Sequence, residues 1–144
     1  MYRSSKTFRS YPCVHRKWRH PGHCSLLHGY SREFTVWFAC NERDENGFVM
    51  DFGDLKVPRR WLEDHFDHTL LLDSDDPLID AMRAIEAAKG CRLVILDDVS
   101  TEGSARFFYD YLNPWVQERT GQRVWVKSVE CRENENNSSV YLRE

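Results

Sequence analysis

The sequence predicts an α+β domain in which an antiparallel sheet is covered on one face by helices, and two observations predict it. Stretches dense in β-branched and aromatic residues, 6–18 and 33–40 near the start and 123–130 and 139–143 near the end, bracket the helix-forming segments instead of alternating with them. The helical segments carry apolar residues at helical spacing, so each has one face to bury. No internal repeat or long low-complexity linker divides the 144 residues, a length suited to one hydrophobic core, and a single domain over 1–144 is expected.

Residues 6–18 mix β-formers with polar residues and run into His20-Pro21-Gly22-His23, where proline and glycine break the pattern: a strand, then a loop. Phe34-Thr35-Val36-Trp37-Phe38-Ala39 reads as a strand buried on both faces or held at an oligomer interface. A turn over 41–47 and a short extended piece, 48–52, follow it. Asp54 then caps a helix presenting Leu55, Leu62 and Phe66, with Pro58 near its start, where a missing N–H is tolerated. Asp73-Ser74-Asp75-Asp76-Pro77 reads as a solvated loop. Residues 78–88 predict a short helix with Leu78, Met82 and Ile85 apolar, and 92–99 a brief strand. Ser100 or Thr101 caps a second main helix on which Phe108, Tyr111, Leu112 and Trp115 recur at i, i+3, i+4 and i+7, and Pro114 predicts a kink in it. Residues 123–130 alternate, with Val124, Val126 and Ser128 on one face and Trp125 and Val129 on the other; Asn134-Glu135-Asn136-Asn137 turns into a closing strand over 139–143.

Composition narrows the function. With 41% hydrophobic and 30% charged residues the chain is of the folded soluble kind, neither disordered nor fibrous. The longest aliphatic run, Leu93 to Leu96, is far short of a membrane span, and residues 1–6 lack a signal-peptide apolar region, so a cytoplasmic protein with no membrane partner is expected. Five widely spaced cysteines without a C-x-x-C pair point to reduced thiols. The net charge of -3 hides an asymmetry: residues 1–32 hold seven Lys/Arg and no Asp/Glu, while acidic residues dominate from Glu42 through Glu86. A basic cluster of this kind serves a nucleic acid or a polyphosphate substrate, or is simply a solvated surface. With no RRM, KH or helix-turn-helix signature, no nucleic-acid partner is expected.

The densest chemistry lies between His15 and Tyr30, where His15, His20, His23, Cys24 and His28 fall within sixteen residues. Imidazoles clustered this way can ligate zinc, and a thiol beside a cation or a metal becomes a usable base or nucleophile; the segment also reads as a surface loop with an inert cysteine.

Tyr11-Pro12-Cys13-Val14-His15-Arg16 and Cys24-Ser25-Leu26-Leu27-His28-Gly29-Tyr30 resemble the 6-pyruvoyl/6-carboxy-tetrahydropterin synthase family, with its strand-borne histidine followed by Cys, three residues and His-Gly-His. Four further blocks follow in the same order: 47–56 resembles G-M-V-x-D-F-x-x-L-K, 66–71 resembles L-D-H-x-x-L, Ser100-Thr101-Glu102 resembles P-T-x-E, and 126–130 the final glutamate strand. The resemblance implies the tunnelling fold, a four-stranded antiparallel sheet with two main helices on one face. It also implies that subunit sheets join into a barrel in a hexamer of two stacked trimers, with sites at subunit interfaces. It implies that Cys24 is the general base, that Asp67 and His68 relay protons, and that Glu130 anchors a pterin by accepting two parallel hydrogen bonds, assisted by Thr101 and Glu102. Without the resemblance, Asp67-His68 reads as a helix-terminal ion pair, Glu130 as a solvated strand end, and Thr101 and Glu102 as capping residues.

The family binds zinc (Zn2+) through three histidines; His15 and His28 match two of them, and Tyr30 stands at the third. Residues i and i+2 of a strand face one side, so the Tyr30 phenol projects toward the metal position, and His23, or His20 in the same loop, is the alternative ligand. The three-residue Cys24-to-His28 spacing accompanies the carboxy-forming branch. The resemblance therefore implies a lyase that converts 7,8-dihydroneopterin triphosphate to 6-carboxy-tetrahydropterin, acetaldehyde and triphosphate on the route to 7-deazaguanines such as queuosine, with Arg16, Lys17 and Arg19 available to the triphosphate. A pyruvoyl-forming enzyme, or a non-catalytic pterin- or purine-binding protein of the same fold, is the alternative.

Overall fold

Alternating apolar residues on the two longest strands decide where the core lies. The computed structural model describes residues 1–144, in which β1 (Tyr2–His15) and β2 (His28–Cys40) pair antiparallel, from Tyr2 opposite Cys40 to His15 opposite His28. Phe34, Val36 and Phe38 share one face of β2 and are fully buried. Onto that face pack α1 (Lys56–Phe66) and α3 (Thr101–Arg119). Phe34 meets Phe66 of α1 and Phe108 of α3 at ring-centre distances of 4.8 and 5.5 Å, so one residue ties both helices to the sheet.

The sheet has six strands in the order β4-β3-β1-β2-β5-β6, which corrects the four-stranded antiparallel expectation. The antiparallel four are β1, β2, β5 (Val124–Arg132) and β6 (Ser138–Leu142). Beyond β1 lie β3 (Thr69–Asp73) and β4 (Leu93–Leu96), both parallel additions. Every residue of β3 is buried, so its sequence carries a continuous Leu70-Leu71-Leu72 run in place of alternation. The two main helices are as expected, and a third, α2 (Ile79–Ala87), buries none of its residues fully.

Other departures are local. Residues 48–52 form no strand; they lead into a single turn, Phe52–Asp54, where Asp51 accepts from the Gly53 N–H, and Leu55 occupies the position before α1 expected of Asp54. Helix α3 runs unbroken through Pro114, where Pro114 and Asp110, the residue whose carbonyl the proline leaves without a donor, are both exposed. On β5 the expected alternation reverses midway. Trp37 pairs with Ser128 and Phe38 with Val126, so Lys127 is an extra, bulged residue. The buried positions are therefore Val124 and Val126, then Val129 and Cys131. The Val126 N–H at this bulge donates to Asn113 Oδ1 of α3 at 2.9 Å, which satisfies a donor beside the interrupted ladder.

Candidate active site

Because β1 and β2 end in register, two imidazoles stand side by side, with His15 and His28 ring centres 4.5 Å apart. His15 is buried, and its Nδ1 has no hydrogen-bond partner. Burial, reinforced by the positive charge of Arg32, by His28 and by Lys17, pushes its pKa down to about 3, so the ring is neutral at physiological pH and keeps a lone pair to donate. His28 Nδ1 lies 2.6 Å from the Leu26 carbonyl oxygen. A carbonyl only accepts, so this nitrogen carries a proton, and in the neutral ring Nε2 is the nitrogen with the lone pair. The Tyr30 ring centre lies 5.5 Å from His28 and 6.4 Å from His15.

Cys24 is exposed in the single turn His23–Ser25 that precedes β2. It shares a cavity of about 480 Å³ with His15, His28 and Tyr30 on one wall and Thr101 and Glu102 on the other. The opposing wall is the first turn of α3, and it is Ser100 that caps this helix, accepting from the Gly103 N–H at 3.0 Å. The side chains of Thr101 and Glu102 make another contact: Ser139 Oγ of β6, 2.7 Å from Thr101 Oγ1, donates to Glu102 Oε1 at 2.8 Å. The Glu102 backbone N–H and that hydroxyl hold the Glu102 carboxyl below the usual carboxylate range.

Glu130 on β5 pairs with Thr35 and Val140 across the neighbouring strands. Its Oε2 accepts from Ser138 Oγ at 2.8 Å and lies 3.5 Å from an Arg132 nitrogen, whereas Oε1 accepts no hydrogen bond within the chain. Ser138 lines the cavity, so Glu130 stands one hydrogen bond behind its wall.

Asp67 and His68 follow the end of α1. His68 Nδ1 lies 2.7 Å from Asp67 Oδ1, and the His68 side chain is 81% exposed. Its backbone is left-handed at φ +57°, and its N–H donates to the Pro12 carbonyl at 2.7 Å. His68 faces a second hollow, of about 560 Å³, which shares Tyr30 with the first. The chain thus gathers Cys24, His15, His28, Thr101 and Glu102 together, and holds the Asp67–His68 pair apart from them. His20 and His23 are exposed and do not line the cavity, and no three His, Cys, Asp or Glu side chains are grouped as a metal site; the donors at hand are two imidazoles and a phenol.

Several contributors escaped the sequence reading. Ser138 and Ser139 hold the two carboxylates, and nothing in a short polar stretch signals that. Arg32 is fully buried, donating to Ser104 Oγ at 2.5 Å and to the Val99 carbonyl at 2.8 Å, so it ties β2 to the start of α3. Its signal was available, because a strand places residue 32 on the same face as His28, Tyr30 and the buried Phe34. Arg16, Lys17 and Arg19, which the sequence offers to a triphosphate, are paired with Asp76, with Asp73 and Asp98, and with Asp75, and Lys17 also lines the cavity.

A six-stranded α+β sheet thus carries a thiol, paired imidazoles and carboxylates at one end, and comparison with known proteins shows the family to which it belongs. The family model described as 6-pyruvoyl tetrahydropterin synthase matches residues 4–144, and the chain belongs to this family. It is 30% identical over 124 residues to the 6-carboxy-5,6,7,8-tetrahydropterin synthase of Rickettsia felis, covering 85% of this chain and 87% of that protein. The protein of the same description from Bacillus subtilis is 31% identical over 108 residues, covering 75% and 66%. Among solved structures, an uncharacterized protein from Wolinella succinogenes superposes with a TM-score of 0.84 at 22% identity, covering 99% of this chain and 98% of that one. The Plasmodium vivax 6-pyruvoyltetrahydropterin synthase superposes with a TM-score of 0.66 at 18% identity, covering 99% of each. These two bear on the fold alone. Family membership supports lyase-type enzyme activity on a pterin, and no helix is long and apolar enough to cross a membrane.

Proposed function

We propose that the protein converts 7,8-dihydroneopterin triphosphate and water to 6-carboxy-tetrahydropterin, acetaldehyde and triphosphate, in the route to 7-deazaguanines such as queuosine. The observation that carries this reading is the single cavity in which the Cys24 thiol meets two imidazoles and the first turn of α3. The descriptions of the curated relatives support the carboxy product.

In this reading Cys24, as the thiolate, removes a proton from the substrate side chain. Asp67 accepts the Nδ1 proton of His68 in a hydrogen bond and so orients the ring with Nε2 as the atom that exchanges protons. Glu130 receives the pterin edge through Oε1, with Oε2 steadied by Ser138, and Thr101 and Glu102 lie alongside. Cys24 lines one hollow of the chain and His68 another. That supports a site completed between protomers, in the hexamer of two trimers that the resemblance implies.

The zinc ion that the family implies would be held by His15 and His28, with the Tyr30 phenol at the third position. The donor set suits it in part, because both imidazoles keep a lone pair, His15 being neutral and His28 protonated on Nδ1. When bound there, such an ion acts as a Lewis acid on the substrate's side-chain hydroxyls.

Tyr30 favours a second reading, a pterin-binding protein without turnover. The deciding experiment incubates the purified protein and its Cys24→Ala variant with 7,8-dihydroneopterin triphosphate and measures acetaldehyde, the pterin product and pterin affinity. Acetaldehyde from the parent and none from Cys24→Ala, at equal pterin affinity, is the expected result. Binding without acetaldehyde establishes the second reading, a pyruvoyl product the related synthase reaction, and undiminished turnover in Cys24→Ala removes the base assignment.

A further inference from the structure

The basic loop that carries Cys24 and the acidic turn at 73–76 are held together by ion pairs. Arg16 presents a two-pronged contact to Asp76, from Nε to Oδ2 at 2.8 Å and from its terminal nitrogen to Oδ1 at 2.6 Å. The Asp76 side chain is wholly buried and that of Arg16 only 15% exposed. The remaining guanidinium nitrogen donates to the Ser25 carbonyl at 3.2 Å. The Lys17 N–H donates to the Cys24 carbonyl itself at 2.7 Å. Consecutive carbonyls, those of the thiol-bearing residue and of its neighbour, are thus gripped by consecutive basic residues.

Lys17 extends the grip to the far wall. Its ammonium donates to Asp73 at 2.8 Å and to Asp98 at 3.0 Å. Each of those carboxylates also accepts a backbone N–H from the approach to α3: Val99 to Asp73 at 2.9 Å, and Ser100 to Asp98 at 2.9 Å. One network of charges therefore sets both the place of the thiol and the place of Thr101 and Glu102 opposite it.

We propose that Arg16 and Lys17 are positioning residues, whose ion pairs with Asp76, Asp73 and Asp98 hold the Cys24 thiol at a fixed distance from the first turn of α3. The proposal deepens the reading of Cys24 as the base and rests on it for its catalytic consequence. Arg16→Lys keeps the charge and loses the fork that grips Asp76 and the Ser25 carbonyl together. Lys17→Met removes the tie between the two walls.

The test uses the full chain and reads amide hydrogen exchange over residues 22–27 together with steady-state kinetics on 7,8-dihydroneopterin triphosphate. Both variants are expected to exchange faster over that segment by roughly tenfold, a local opening. Both should lose about tenfold in kcat with KM within about twofold, as expected when a reacting group is displaced while substrate binding persists. Arg119→Ala, which removes an exposed pair with Asp54, should change neither. Unchanged exchange refutes the proposal. So does faster exchange with unchanged kcat, or a fall in kcat matched by equal changes in KM and in melting temperature, which marks general destabilisation. If Cys24→Ala retains turnover, the base reading fails on its own account, and the exchange measurement still decides whether Arg16 and Lys17 order the loop. Should Arg16→Lys fail to accumulate, Lys17→Met, whose side chain is already 38% exposed, carries the same readouts.

Discussion

Replacing Glu130 by Gln should separate recognition of the pterin from stability of the fold. In the free protein one carboxylate oxygen is engaged by Ser138 at 2.8 Å and the other accepts nothing, so only the second is free to receive a donor at full strength. The amide introduced by Glu130→Gln would preserve the length and the Ser138 contact while turning one acceptor into a donor. That change removes one charge-assisted hydrogen bond, worth about 1.5–3 kcal/mol. At about 1.4 kcal/mol per factor of ten, this predicts pterin affinity weaker by roughly 10- to 150-fold. Stability should hold, because the side chain is 30% exposed at the sheet surface and its neighbours keep water as a partner. Titration calorimetry with a dihydropterin, paired with a melting curve, measures both. Affinity within a factor of two of the parent refutes the anchoring role, and a melting temperature that collapses in step with affinity shows that the carboxylate serves the fold.

Other outcomes follow from the same geometry. His28→Ala leaves one imidazole in the cavity, and zinc per subunit, measured by elemental emission on protein loaded with zinc and then desalted, should drop from near stoichiometric to background; equal content in parent and variant places the ion elsewhere. Asp76 and Asp98 ionise below the usual carboxylate range. Burial opposes this, and hydrogen bonds from Arg16 and the Leu78 N–H at Asp76, and from Ser100 and Lys17 at Asp98, overcome it. The unfolded chain holds these protons up to about pH 4, so the stability gained is complete above that and drains as pH falls through the folded values. Asp76→Asn should flatten the dependence of urea midpoint on pH below about 4; an unaltered slope shows that other carboxylates govern acid unfolding.

The fold was legible where local pattern and burial agree. The strand at Phe34–Ala39, the helix capped at Ser100 and the closing strand needed only periodicity and a capping hydroxyl. β3 was not, since a strand covered on both faces has no alternation to announce it, and only Asp67 and His68 separate it from the helix before it. At the candidate site, the nearness of His15, Cys24 and His28 could be read from their density in the chain. The Ser138–Glu130 contact depends on which strand lies beside β5, and the Arg16–Asp76 pair joins residues sixty apart, so both follow from tertiary pairing that no window of sequence reports. The acidic stretch at 73–77 was expected to be solvated, but Asp73 ends β3 and both Asp73 and Asp76 are buried, because Lys17 and Arg16 of the basic end supply their counter-charge.

The extra residue at 127 makes the two halves of β5 depend on one irregularity for their common inner face. Side chains on a strand point by odd and even count, and the register of β5 against β2 makes the count change once, between Val126 and Ser128. Were the bulge to straighten with Lys127 drawn into the ladder, the composition would be untouched, yet the carboxylate at 130 would swing toward Phe34 and Val129 and Cys131 would turn out to solvent. A single unpaired residue thus decides which side of the sheet receives everything that follows it on this strand.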